Sequence, residues 1–371
     1  MRVAFLTRSL INHGAERQLV ELAKGLYRRG HDVSVIVFYP QCQLADELRE
    51  MGIRIWVLNK RGRWDLFHFI ANLIEVLRIE EADVLHGYIG TPNMFATLIK
   101  PLFPKMKIIW GIRSSNTSSK GLTQRILGII EICLSRYVDL IIVNSLAGLQ
   151  SLKMKHFPDK KIVMIPNGID TDRFCYDSEA RKKIRDEWEI TDEQILVGMI
   201  GRLAPVKGHK VFFKAAALLT LKYPDVRFVC VGDGEPAYRR ELYEFMTSLG
   251  LADRVVWAVA RADIHSVYCA LDFLVSASYS EGFSNVVAEA MSAGVPCVVT
   301  DAGDSARIVG NTGFVVPPGN CEKLAEAMEK MVGSVSEKKT QLALETRQRI
   351  IENFGKESLV ANTLKEMLLL V

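Results

Sequence analysis

The chain has 371 residues, of which 49% are hydrophobic, 24% charged and 8% aromatic, an ordinary globular composition that excludes a disordered, collagen-like or coiled-coil protein. Its net charge of +4 conceals an asymmetry: residues 1–170 hold 23 basic and 15 acidic side chains, and the remainder 24 and 28. A basic first half points to an anionic partner, whether a phosphorylated acceptor, a membrane surface or nucleic acid. The seven cysteines are never closer than 24 positions, which supports neither a disulfide framework nor a zinc site and fits a reducing, cytoplasmic compartment.

Short apolar runs alternate with amphipathic stretches to the end of the chain, as expected for α/β architecture with parallel sheets buried on both faces. The first series places strands at Val3 to Thr7, Asp32 to Phe38, Ile53 to Leu58, Val84 to His86, Lys107 to Trp110, Leu140 to Asn144 and Lys161 to Ile165. The opening run, Val3 to Leu6, is too short for a signal-peptide core. Nowhere do about 18 uncharged apolar residues follow one another, so no membrane-spanning helix is expected. Pro166-Asn167-Gly168-Ile169-Asp170 punctuates the pattern. A second series follows at Ile195 to Ile200, Val226 to Val231, Arg254 to Trp257, Phe273 to Ser276, Cys297 to Thr300 and Gly313 to Val316. Two doubly wound, Rossmann-like domains are therefore expected, over 1–168 and 169–354. Residues 355–371 form a last helix, roughly Lys356 to Leu370, predicted to dock back on the first domain. Open sheets bind ligands beyond the carboxyl ends of their strands, so a ligand cleft between the domains is expected.

Gly201-Arg202-Leu203-Ala204-Pro205-Val206-Lys207-Gly208-His209 lies between a predicted strand and a helix. Its two cations suit a diphosphate, Arg202 as a bidentate grip and Lys207 as a mobile charge, although two solvated bases in a turn would look the same. Glu281-Gly282-Phe283-Ser284-Asn285-Val286-Val287-Ala288-Glu289 repeats the arrangement, with Ser284 or Asn285 as helix cap. Unpaired amides at that helix start favour phosphate. Glu289 falls about two turns inward, where its carboxylate can accept hydrogen bonds from sugar or ribose hydroxyls, or pair with a nearby Arg or Lys.

Together "GRLAPVKGH", "EGFSNVVAEAM", "PNGID", "TGFVVPPGN" and "HGAERQLVELAKGL" resemble the family 4 retaining glycosyltransferases of the GT-B type, with two Rossmann-like domains facing across a cleft. The resemblance implies transfer from a nucleotide-diphosphate sugar to a hydroxyl acceptor. Carried over by position, it implies that Arg202 and Lys207 hold the diphosphate, Glu281 the donor sugar and Glu289 the ribose. Phe283, Ser284, Asn285 and Val286 would line sugar and phosphate through their backbone. It implies no metal and no cofactor, because these cations and the helix start supply the positive charge.

In the first half, Gly14 opens a helix expected near Ala15 and can approach the donor; the family's usual glycine pair is His13-Gly14 here, which makes His13 a candidate acceptor contact. His86 is expected at the end of the fourth strand, at the cleft edge, as a catalytic or an ordinary hydrogen-bonded histidine, with Tyr88 beyond it. Arg113 suits an acidic or phosphorylated acceptor, or a loop salt bridge. Gly232-Asp233-Gly234-Glu235-Pro236-Ala237 matches a dinucleotide fingerprint with Asp253 downstream, but in mid-domain Gly232 and Gly234 read better as a turn beside the donor nucleotide.

A peripheral contact with anionic membrane is carried by Lys60, Arg61, Arg63, Trp64, Phe67, His68 and Phe69, by Lys100, Lys105 and Lys107 around Phe103, and by Leu122 to Tyr137 with Arg125 and Arg136. No nucleic-acid reading module is present. The expected protein is a cytoplasmic or membrane-surface enzyme acting on a glycan or lipid-linked acceptor. Two rivals are a nucleotide-sugar epimerase of the same architecture and a non-catalytic nucleotide-sugar-binding module.

Overall fold

The computed structural model describes residues 1–11, 13–62, 65–113 and 122–371, the side chains of 122–124 excepted. By internal contacts the chain divides into two units, Met1–Gly168 with Lys356–Val371, and Ile169–Gly355.

The first unit holds seven strands: β1 (Arg2–Thr7), β2 (Asp32–Val37), β3 (Arg54–Val57), β4 (Val84–Tyr88), β5 (Lys107–Ile112), β6 (Leu140–Val143) and β7 (Ile162–Met164). All pair in parallel, in the order β3-β2-β1-β4-β5-β6-β7. The unbroken apolar runs follow from burial on both faces. Val3 and Phe5 enter one core layer and Ala4 and Leu6 the other, as period-two side chains must. Helix Lys356–Leu368 packs against helix Gly14–Arg28. Their approach is so close that a Cβ on Gly25 would lie 2.2 Å from Val360 Cγ2.

The second unit holds six strands, β8 (Leu196–Ile200), β9 (Arg227–Val231), β10 (Val255–Ala258), β11 (Phe273–Ser276), β12 (Cys297–Thr300) and β13 (Phe314–Val316), parallel in the order β10-β9-β8-β11-β12-β13. Two apolar layers again flank the sheet. The segment Cys321–Phe354 is helical apart from a break at Lys338 (φ −135°, ψ 32°).

A charge cluster is buried at the amino ends of β8 and β11. The Asp272 carboxylate accepts from Arg181 Nη2 at 3.0 Å, Arg185 Nη1 at 3.2 Å, Lys339 Nζ at 2.8 Å and the Leu196 amide at 2.8 Å. These cations hold its carboxyl below the usual range against the opposing effect of burial, which is the largest single influence on it. Among the described residues no helix is long and apolar enough to cross a membrane.

Candidate functional site

In each sheet the strand order reverses once, at β1/β4 in the first unit and β8/β11 in the second, and such switch points are where open α/β sheets take ligands. In the second unit the two loops that leave β8 and β11 are those carrying Arg202 to Gly208 and Ser278 to Ser284. They are tied together by the Tyr279 amide, which donates to the Val206 carbonyl at 2.8 Å. Gly208 has φ +73°, and a Cβ there would lie 2.0 Å from the Ala277 carbonyl oxygen. Only glycine lets the two loops approach this closely.

The approach brings together two residues 74 positions apart: Lys207 Nζ donates to Glu281 Oε1 at 2.5 Å. The Ser278 hydroxyl donates to the same oxygen at 2.7 Å. Lys207 and Glu281 line a small pocket together with Gly201, Ser276, Ser284 and Val286. Arg202 is exposed, and its side chain makes no hydrogen bond or ion pair among the described residues.

Helix Asn285–Ser292 follows β11, and Ser284 is its cap residue by position. The expected side-chain cap is not formed: no Ser284 hydroxyl bond closes the first turn. Asn285 and Val286 are partly exposed at the helix start, whereas the Phe283 ring is core, edge-on to Phe354 at 5.5 Å. Glu289 is buried, and its Oε2 accepts from the Tyr268 hydroxyl at 2.8 Å.

Two participants escaped the sequence reading: Tyr268, which reaches Glu289 only through the fold, and Ser278, a serine three residues before Glu281 in the same loop that carries no signal of its own. A third, His209, was legible as the residue after the Lys207-Gly208 pair. It is buried, neither ring nitrogen makes a well-formed hydrogen bond among the described residues, and burial with the nearby Lys207 charge lowers its pKa to about 4.

Gly232 and Gly234 have a packing explanation. A Cβ on Gly232 would sit 1.9 Å from the Gly201 carbonyl oxygen and one on Gly234 2.4 Å from that of Leu203, so the β9 loop lies directly on the β8 loop. Among the described residues no group of three or more His, Cys, Asp or Glu side chains could hold a metal ion.

In the first unit, His13 and Gly14 are exposed at the start of helix Gly14–Arg28, which begins one residue before Ala15. His86 differs from expectation. The strand runs on through Gly87 to Tyr88, so His86 lies inside β4 rather than at its end, and it is 0% exposed, packed beside Phe5 and Tyr88. Neither of its ring nitrogens has a partner among the described residues. Burial, assisted by the Arg113 charge, pushes its pKa well below the ordinary value. Arg113 forms no loop salt bridge among the described residues: Nη2 donates to the Tyr88 hydroxyl at 2.7 Å and Nη1 to Asn167 Oδ1 at 3.0 Å.

The expected membrane surface is partly dismantled. Phe69 is core, under the Lys60 ammonium, and Lys100 is held by Asp139 at 2.5 Å. Arg63 and Trp64 lie outside the described residues. Phe67 stands 93% exposed, as do substantial parts of Ile126, Leu127, Ile129 and Ile130 on helix Leu122–Ser135.

The models of two glycosyltransferase families match the chain, Glycosyltransferase Family 4 over residues 12–173 and Glycosyl transferases group 1 over residues 194–334. Among curated relatives, mannosylfructose-phosphate synthase of Agrobacterium fabrum is 32% identical over 217 residues, 54% of this chain and 46% of the relative. UDP-Gal:alpha-D-GlcNAc-diphosphoundecaprenol alpha-1,3-galactosyltransferase of Escherichia coli is 25% identical over 71% of this chain and 69% of its own. The chain spans about half the length of several curated relatives it matches. Among solved structures, HepE of Anabaena in complex with UDP superposes with a TM-score of 0.86 at 23% identity, covering 98% of this chain and 99% of that one. WaaG, a glycosyltransferase involved in lipopolysaccharide biosynthesis, gives 0.74 at 19% identity over 98% and 99%.

Proposed function

We propose, for a chain that belongs to the family 4 glycosyltransferases (glycosyl transferases group 1) and has two Rossmann-like units of the GT-B fold, that it moves a sugar from a nucleotide-diphosphate donor to a hydroxyl acceptor with retention of configuration. The observation that carries this reading is the convergence at the β8/β11 switch point of Lys207, Glu281 and the start of helix Asn285–Ser292, with Glu289 about one turn inward. HepE has been crystallised with UDP and with UDP-glucose, which supports a nucleotide sugar as donor.

In this reading Arg202 and Lys207 neutralise the diphosphate, and the helix start adds its amides. As the glycosidic bond breaks, negative charge grows on the leaving phosphate, and cations already in place lower that barrier without reorganising. The same phosphate accepts the acceptor's proton while the new bond forms on the same face. No metal and no carboxylate nucleophile is needed. Glu281 exchanges its hold on Lys207 for donor-sugar hydroxyls, and Glu289, steadied by Tyr268, takes the ribose. The backbone from Phe283 to Val286, with Gly232 and Gly234, completes the donor surface of the second unit, and in the first unit His13, Tyr88 and Arg113 are the acceptor contacts.

The acceptor class is a lipid-linked or surface-polysaccharide intermediate, by analogy with a relative named for a diphosphoundecaprenol acceptor. The exposed Phe67 and the apolar residues of helix Leu122–Ser135 serve as the contact with anionic membrane.

A thermal-shift screen against UDP, GDP, ADP and their sugar conjugates, with NAD and NADP as controls, tests the donor site, because a ligand of the folded state raises its melting temperature. A shift confined to one nucleotide diphosphate and its conjugates is expected. A shift with NAD alone, or none at all, overturns the reading.

A further inference from the structure

We propose that Arg113 is the receptor for an oxyanion, a phosphate or a carboxylate, carried by the acceptor; the inference rests on the glycosyltransferase reading and specifies its second substrate. Three arginines are buried among the described residues, Arg113, Arg181 and Arg185. Two of them share the Asp272 carboxylate. Arg113 is only 9% exposed and has no carboxylate partner among the described residues. The residues outside that set carry no Asp or Glu at all: they are Asn12, Arg63, Trp64 and the run SSNTSSKG at 114–121. Every Asp and Glu of the chain is therefore among the described residues, and none of them pairs with this guanidinium.

A buried charge without a counter-charge is strongly disfavoured unless something else supplies the opposite sign. The partners that Arg113 does have are neutral: the Tyr88 hydroxyl, the Asn167 amide oxygen and the face of the Tyr88 ring, 4.9 Å from the guanidinium carbon. These hold the group in place and leave donors over, since Nε is buried with no partner among the described residues. Close by, His86 has both ring nitrogens buried and, among the described residues, unpartnered. A neutral imidazole is a hydrogen-bond donor at one nitrogen, and a phosphate or carboxylate would satisfy it together with the spare guanidinium N–H groups.

The location is where a ligand is expected. Tyr88 ends β4, Arg113 directly follows β5 and Asn167 lies shortly past β7, all at the carboxyl edge of the first sheet and beside its β1/β4 switch point. The chain is strained at the same corner: Ile89, a β-branched residue, has φ +63°. Such conformations persist where the surroundings impose them, and they gather at ligand sites.

The test fills the nucleotide site first, with a saturating concentration of the nucleoside diphosphate selected by the thermal-shift screen, and then titrates inorganic phosphate, and separately acetate, by calorimetry. Wild-type protein is expected to bind phosphate or acetate under these conditions. Arg113→Gln should weaken that binding at least tenfold, and Arg113→Lys, which keeps the charge but not the forked geometry, by a smaller factor. Preference for phosphate or for acetate then says which oxyanion the acceptor bears. In transfer assays an acceptor bearing that group should show a KM at least tenfold below its uncharged analogue, and Arg113→Gln should abolish the difference.

No anion binding by the wild type with the nucleotide site full, or wild-type anion affinity in Arg113→Gln, overturns the proposal. Nucleotide affinity is read in the same samples. If it is intact while anion binding is absent, the acceptor inference fails and the donor reading stands; if no nucleotide binds, the donor reading fails instead. Should Arg113→Gln not fold, Arg113→Lys decides, and undiminished phosphate and acetate affinity in that variant refutes the role.

Discussion

Replacing Asp272 by Asn removes one charge from the most heavily committed carboxylate in the second unit. The side chain is 5% exposed and takes four hydrogen bonds, three from cations and one from the first amide of β8. Removing one partner of a buried ion pair costs about 3–5 kcal/mol, because the partner left behind stays buried and unpaired. Here the lower end applies. Arg181 keeps the carbonyls of Cys269, Ala270 and Leu271, Arg185 keeps those of Ala270 and Gln194, and Lys339 can swing into solvent. A loss of about 3 kcal/mol lowers the melting temperature of a unit this size by roughly 6–12 °C. Calorimetry and urea unfolding of the full chain measure it. The sign with pH is fixed as well. The folded-state pKa of Asp272 is depressed, so its contribution is present above the unfolded carboxyl pKa and is lost as pH falls through the lower folded value. Wild type and variant should therefore converge in strong acid. Asp272 sits at the amino ends of the strands, whereas Lys207 and Glu281 sit at the carboxyl ends, so the folded variant should bind nucleotide as wild type does. A loss below about 1 kcal/mol at neutral pH, or a variant that stays folded but loses nucleotide affinity, would refute this account of the cluster.

Lys207→Ala should slow transfer by roughly two to four powers of ten, as expected for loss of a leaving-group stabiliser, and near wild-type turnover would contradict that role. Glu289→Ala should raise the donor Michaelis constant about 10–100-fold, the worth of a charge-assisted hydrogen bond, with a smaller effect on kcat. An unchanged constant argues against ribose contact. His209, with a pKa lowered to about 4, stays neutral in the folded state where the unfolded chain takes up a proton. Stability should therefore fall as pH drops from about 6.5 to about 4, and His209→Asn should flatten that slope in urea unfolding measured across the window; an unaltered slope would show that another group titrates there.

The inner strands were legible because they are buried on both faces, which leaves a run of apolar residues that needs no partner to be recognised. Where the reading slipped, a neighbour supplied by the fold was responsible. β4 extends past His86 because Gly87 admits the backbone of Asn93, 2.9 Å from where its Cβ would stand, and a lone glycine in a sequence looks like a stop. Phe69 reads as interfacial beside a basic run, yet it closes the first core against Phe38 and Phe95. Lys100 looks free until Asp139 reaches it. The candidate site divides the same way. Lys207 and Glu281 carry their own signal as a cation and an acid in strand-end loops, but their ion pair, like the Tyr268 hydroxyl on Glu289, exists only once strands far apart in sequence lie side by side.

The packing of helix Lys356–Leu368 on helix Gly14–Arg28 has a bearing on how the protein is made. The chain enters the first unit, leaves it at Gly168, builds the whole of Ile169–Gly355 and then comes back. During synthesis the apolar face around Gly25 and Leu22 therefore stays uncovered until residues 356–368 emerge, although the seven-strand sheet beneath is already complete. Domains otherwise fold in the order in which they are translated. Here the earlier unit is finished last, and for as long as the ribosome takes to make the later unit, the nascent first unit presents a sticky helix to whatever chaperone or neighbouring chain it meets.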